Sequence, residues 1–224
     1  MNQNSNNGTH WGGFRLTPEQ LDTLKELGNI GSGHAIIALS KLLNNEIEVS
    51  LTSAEIIPFW KVPTLFKNPN LEVFGIYSEI PYMSDFSIIQ IFSKESIVNL
   101  INLLNMNGKI CLENIRSIKN LDHLSVSVVT EIGNILTGHY ASALADILSI
   151  KLVPNVPIVA LDTLNAMLNG IIAKYSQLSD YLVLINTKLT LPEIKLDCTM
   201  CFIPSIIILK NLFEILNIKY NMNL

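Results

Sequence analysis

A nine-residue stretch that occurs twice constrains this chain more than any other feature. Glu26-Leu27-Gly28-Asn29-Ile30-Gly31-Ser32-Gly33-His34 returns as Glu131-Ile132-Gly133-Asn134-Ile135-Leu136-Thr137-Gly138-His139. At the same offset Asp22 falls on Ser127, Ala38-Leu39 on Ala143-Leu144 and Leu43 on Leu148. Polar identities kept in register over such a span mark an internal duplication. Each half, over about 17–107 and 122–220, is expected to contribute an equivalent unit to one domain at 14–224.

Each copy reads as a helix. Thr17-Pro18-Glu19-Gln20 places a capping threonine before proline at the first helical position, with Gln20 closing a capping box. At about 100° per residue, Asp22, Glu26, Asn29 and Gly33 fall within roughly 60° of one another as a polar stripe. Leu24, Leu27, Gly31, Ala38 and Leu42 take the opposite side, toward the core. In the second copy Ser127, Glu131, Asn134 and Gly138 make the stripe, with Val129, Ile132, Leu136 and Ala143 opposite. A helix-interior glycine costs about 1 kcal/mol against alanine, so something must compensate. Gly28 with Ala35, and Gly133 with Tyr140, lie on or beside the buried side, where a missing side chain admits another element. Gly33 and Gly138 lie on the polar stripe, where it leaves room for a visiting surface. Spacing alone leaves open whether all of these are packing glycines.

Hydrophobic residues make up 49 % of the 224 and charged ones 15 %, enough apolar surface for a large core. The apolar runs break before the ~20 residues of a membrane span. The polar, uncharged start Met1-Asn2-Gln3-Asn4 lacks the pattern of an export signal, so a cytoplasmic protein away from membranes is expected. A net charge of -4 without a Lys/Arg cluster argues against nucleic acid as partner. Cys111, Cys198 and Cys201 are expected to be thiols. Cys198 and Cys201 have zinc-like spacing, but on a strand residues three apart point to opposite faces.

Residues 1–13 are Asn/Gly/Ser-rich and expected to be disordered. A helix over 18–43 precedes strands at 46–52, 54–59, 71–79 and 84–92, with a loop at 60–69, and a helix over 94–105. After a connector at 108–122 come a helix over 124–149 and strands at 150–154 and 158–161. A helix over 163–175, strands at 180–189 and 193–203 and a closing helix over 206–218 follow. Helix, strands, helix twice over implies an α+β fold, its antiparallel or mixed sheet carrying helices on one side.

A glutamate and an asparagine side by side on an exposed helix suit few reactions, and no nucleophile with its base or Gly-rich phosphate loop accompanies them. A carboxamide accepts and donates at once, so it can hold a water in line with a phosphorus atom. The adjacent carboxylate can pair with a cation on a partner.

Ser127-x3-Glu131-x2-Asn134 followed by Pro157, with Asp22-x3-Glu26-x2-Asn29 in the first half, resembles the [DS]-x3-E-x2-N-x22-P signature of the CheC family of chemotaxis phosphatases. Met167-Leu168-Asn169 and the run from Lys174 to Tyr181 extend the resemblance, which covers roughly 15–220. It implies a CheC-like fold and hydrolysis of the aspartyl phosphate on a CheY-like response regulator. Asn29 and Asn134 would orient the attacking water, while Glu26 and Glu131 would bind the regulator, at its active-site lysine. Asp22, Ser127, Pro157, Gly33 and Gly138 would support them. Magnesium would come with the regulator, no cofactor being bound by this chain, and a CheD-type deamidase is an implied second partner. The first half carries Thr52 where the signature has proline. His34 and His139 lie about 100 to 140° around the helix from Asn29 and Asn134 and are read as structural. The alternative is a binding module with little turnover, regulating a CheD-type deamidase or the flagellar switch.

Overall fold

The computed structural model describes residues 17–65, 68–81, 86–104, 110–175, 181–191 and 194–203, with Ile208, Asn211 and Glu214. For some residues inside these elements only the backbone is described. The expected disorder at 1–13 lies outside the described residues. Of the closing helix expected over 206–218, only Ile208, Asn211 and Glu214 are described, and all three are helical.

The two copies of the repeated stretch lie on two helices of 26 residues each, α1 (Pro18–Leu43) and α3 (His123–Leu148). Asp122 caps α3, its carboxylate accepting from the Ser125 amide at 2.7 Å, and Ser149 ends the helix in the left-handed region at φ 52°. Six strands form one sheet: β1 (Glu48–Pro58), β2 (Glu72–Ile80), β3 (Phe86–Ser93), β4 (Ile158–Thr163), β5 (Tyr181–Leu191) and β6 (Ile194–Ile203). Two shorter helices complete the order, α2 (Lys94–Leu104) after β3 and α4 (Leu164–Tyr175) after β4.

The sheet runs β1-β5-β6-β3-β2-β4, and every neighbouring pair is antiparallel. Matching β1, β2 and β3 in turn with β4, β5 and β6 makes the order read the same from either edge. The first strand of each half pairs with the second strand of the other, so neither half closes its own sheet. At the centre Gln90 of β3 faces Met200 of β6. The helix-facing positions of the two central strands then match in order: Phe86, Ile88, Gln90 and Phe92 against Leu196, Cys198, Met200 and Phe202.

Strand alternation sends side chains to two cores. Phe74, Ile76 and Ile80 of β2, with the residues just named apart from Gln90, meet α1, α2 and α3 on one face. Ile89, Ile91, Cys201 and Ile203 face the other way, against Leu164, Leu168, Ile171 and Tyr175 of α4 and Val62 of a 3-10 helix at Phe59–Leu65. The one-sided layering therefore holds for α1, α2 and α3, while α4 and the 3-10 helix add a second, smaller cover. A polar cluster ties α4 down: Lys174 bridges to Glu79 at 2.7 Å and Tyr175 donates to Ser87 at 2.7 Å. The Glu79 carboxylate raises the Lys174 ammonium above its ordinary pKa, and the lysine in turn lowers that of Glu79.

Three local expectations are corrected. Residues 151–157 form no strand. Pro154 and Pro157 supply no amide donor, and Asn155 makes the segment's bond to the sheet, donating to Glu79 O at 2.8 Å. The strands expected at 46–52 and 54–59 are one strand, β1, with a register shift between Leu51 and Ser53 that absorbs the break in the pattern. The stretch expected as loop at 60–69 contains most of the 3-10 helix. Among the described residues, no helix is long and apolar enough to cross a membrane.

Candidate functional site

Helices α1 and α3 pack side by side on the sheet. The buried seam of α1 runs through Gly28, Gly31, Ser32, Ala35, Leu39 and Leu43, leaving Ala38 and Leu42 at its margin; Leu24 and Leu27 have no described side chains. In α3 the seam includes Val129, Ile132, Gly133, Leu136, Thr137, Tyr140, Ala143 and Leu144. The helices approach closely because Gly31 lacks a side chain: a Cβ there would stand 2.6 Å from the Tyr140 ring. Gly133 does the same against the sheet, where a Cβ would collide with Ile76 of β2.

With these faces buried, the polar stripes turn outward. Asp22, Glu26 and Asn29 on α1, and Ser127, Glu131 and Asn134 on α3, are all exposed. A Cβ at Gly33 or Gly138 would meet nothing within 4 Å. These two glycines therefore have no packing reason to lack a side chain, unlike Gly31 and Gly133. Their helix-propensity cost leaves a bare, accessible floor beside each Glu/Asn pair. Below Gly138 opens a groove of about 560 Å³ that includes Ser142, Asp146 and Lys151.

Among the described residues, Glu26, Asn29, Glu131 and Asn134 make no side-chain hydrogen bond or ion pair, so their polar atoms face solvent. Asp22 instead pairs with Lys25 at 3.2 Å, and the Ser127 hydroxyl donates to His123 O at 2.9 Å. Pro157 is buried immediately before β4, and Thr52 lies within β1 without a described side chain. His34 and His139 meet where the helices cross, ring centroids 6.3 Å apart and edge to face. Burial, and then the His34 imidazole beside it, hold His139 below the usual histidine pKa. Cys198 and Cys201 point into opposite cores, as the strand spacing requires. Burial pushes the Cys201 thiol up to about 12. Among the described residues, no group of three or more His, Cys, Asp or Glu could hold a metal ion.

One set of residues beneath α3 was not anticipated. Gln90, fully buried at 0 % exposure, donates from Nε2 to Gly133 O at 2.9 Å and to Thr137 Oγ1 at 2.7 Å. Thr137 also shares a hydrogen bond with Ser78 of β2 at 3.2 Å. The available signal was a lone carboxamide inside the otherwise apolar run Ile88-Ile89-Gln90-Ile91-Phe92.

The chain matches the CheC-like family model over residues 19–50 and 124–169, windows that contain both outward triplets. The CheY-P phosphatase CheC of Bacillus subtilis (strain 168) is 32 % identical over 177 residues, 78 % of this chain and 81 % of that protein. The flagellar motor switch phosphatase FliY of the same organism is 26 % identical over 137 residues, 61 % of this chain and 34 % of that protein. The X-ray crystal structure of Thermotoga maritima FliY superimposes with a TM-score of 0.68 at 20 % identity, covering 90 % of this chain and 98 % of that one, a likeness of fold.

Proposed function

The chain belongs to the CheC-like family, and on that premise we propose that it is a cytoplasmic phosphatase that hydrolyses the aspartyl phosphate of a CheY-type response regulator. The observation that carries the reading is the doubled triplet. The same Glu and Asn stand exposed on both packed helices, each beside a glycine with open space above it. Incidental surface residues of two packing helices have no reason to coincide in this way.

In the proposed reaction a docked regulator brings its acyl phosphate to the glycine floor of one helix. The Asn134 or Asn29 carboxamide accepts one hydrogen bond from a water and donates another, fixing the water's lone pair in line with phosphorus. As the water oxygen bonds to phosphorus, the bond from phosphorus to the aspartyl oxygen breaks. The products are inorganic phosphate and the regulator's free carboxylate. Glu131 or Glu26 holds the register by pairing with an ammonium on the regulator through a charge-assisted bond. No residue of this chain is assigned to magnesium, which the proposal leaves on the regulator.

The test is phosphate release from a phosphorylated CheY-type regulator with and without the protein. The wild type is expected to accelerate release. Asn29→Ala and Asn134→Ala together should remove about 10²-fold of that acceleration while leaving the fold and regulator binding in place. A wild-type protein that binds the regulator, or a CheD-type deamidase, without accelerating release would identify a binding module instead.

A further inference from the structure

We infer that Gln90 is a positioning residue for the second site alone, holding the Asn134 backbone from beneath and making the two halves unequal. The inference rests on the phosphatase reading above. Its geometry is short and direct. The Gly133 carbonyl that accepts from Gln90 belongs to the peptide bond joining Gly133 to Asn134, so a strand side chain grips the backbone at the base of Asn134. One turn further on, Thr137 takes the second hydrogen of the same amide and is itself held by Ser78. Two strands, β2 and β3, thus anchor the segment 133–137 at the place where the missing Gly133 side chain leaves room for Ile76 of β2.

The first half has no such anchor among the described residues. The residue matching Gln90 is Met200, its cross-strand neighbour, with a thioether in place of the carboxamide. Ser32, which matches Thr137, donates instead to its own helix, to Gly28 O at 2.7 Å and Asn29 O at 3.1 Å. Such back-bonding ties a helix to nothing outside itself.

Stability does not account for Gln90. Its Oε1 is buried without a hydrogen-bond partner among the described residues, which is costly for a buried acceptor. Met200 demonstrates that an apolar side chain fits the same layer. Replacing Gln90 by methionine strands none of its present partners. Gly133 O keeps its intrahelical bond from residue 137, and Thr137 keeps Ser78. What is lost is orientation.

The experiment places Gln90→Met in two backgrounds, Asn29→Ala, which leaves only the second site, and Asn134→Ala, which leaves only the first. Single-turnover phosphate release, the KM for phosphorylated regulator and hydrogen exchange along both helices are measured. In the Asn29→Ala background kcat should fall on the order of tenfold at unchanged KM, with faster amide exchange near 133–138. In the Asn134→Ala background the rate and the exchange at 28–33 should not respond. Thr137→Val should reproduce the loss and Thr137→Ser, which keeps the hydroxyl, should restore it; this pair carries the test if Gln90→Met does not fold. Equal losses in both backgrounds, or none in either, would overturn the inference. Full activity in the Asn29/Asn134 double variant is a different result, which removes the phosphatase reading and this inference with it.

Discussion

In α1 the hydroxyl of Ser32 turns back onto Gly28 O of its own helix, whereas in α3 the matching Thr137 reaches across to Gln90 and Ser78 of the sheet. Above these floors the surfaces agree. Asp22, Glu26, Asn29 and Gly33 repeat as Ser127, Glu131, Asn134 and Gly138, outward in both halves. Beneath them the halves have diverged: Ala35 against Tyr140, Met200 against Gln90, and Thr52 against the buried Pro157. Further along the stripe, Ile37 is 59 % exposed where the second half has Ser142 in the groove below Gly138. The repeated surface thus tolerates different means of support. The support is therefore where inequality between the sites should originate.

The largest expected difference is catalytic. Asn134→Ala should lower total phosphate release by about fivefold to tenfold and Asn29→Ala by less than about twofold, measured on one phosphorylated regulator. Equal losses would erase the distinction between the floors. Next come the packing glycines. Gly133→Ala drives a methyl into Ile76 and should cost about 1–3 kcal/mol in chemical denaturation, with Gly31→Ala, against the Tyr140 ring, in the same range. A neutral result at either position would mean that the helix can lift from its neighbour without penalty.

Gly33→Ala and Gly138→Ala should do the opposite. With open space above each, the methyl restores helix propensity and should stabilise the fold by about 1 kcal/mol. The same methyl stands on the proposed docking floor, so regulator binding should weaken, Gly138→Ala more than Gly33→Ala. The smallest effect is at the helix crossing. The folded protein resists protonating His139, while the unfolded chain takes up that proton near pH 6.5. Stability is therefore retained above about 6.5 and falls as pH drops below it. His34→Ala removes the neighbouring imidazole, the lesser of the two causes, and should make that fall shallower in thermal melts at about pH 7.5 and 5.5.

Much of this could be read from the sequence, because a doubled helical pattern carries its own check on which residues face outward. The triplets, the stripe glycines and the opposed faces of Cys198 and Cys201 follow from helix and strand periods alone. Three things did not follow. Residues 150–154 form no strand although their local pattern is apolar, because that pattern does not register the missing amide of Pro154. The second cover of α4 depends on which sheet face a crossing segment reaches, which short-range pattern does not encode. Gln90 stayed hidden because its partners, Gly133 and Thr137, lie far along the chain; only a carboxamide interrupting the apolar run 88–92 marked the position.

The most direct test of the account is the rate of phosphate release from a phosphorylated CheY-type regulator, compared between the wild type and the Asn29→Ala/Asn134→Ala double variant at equal, saturating binding. The wild type should accelerate release, and the double variant, still folded and still bound, should return the rate to that of the regulator alone. A double variant that accelerates release as the wild type does would contradict it.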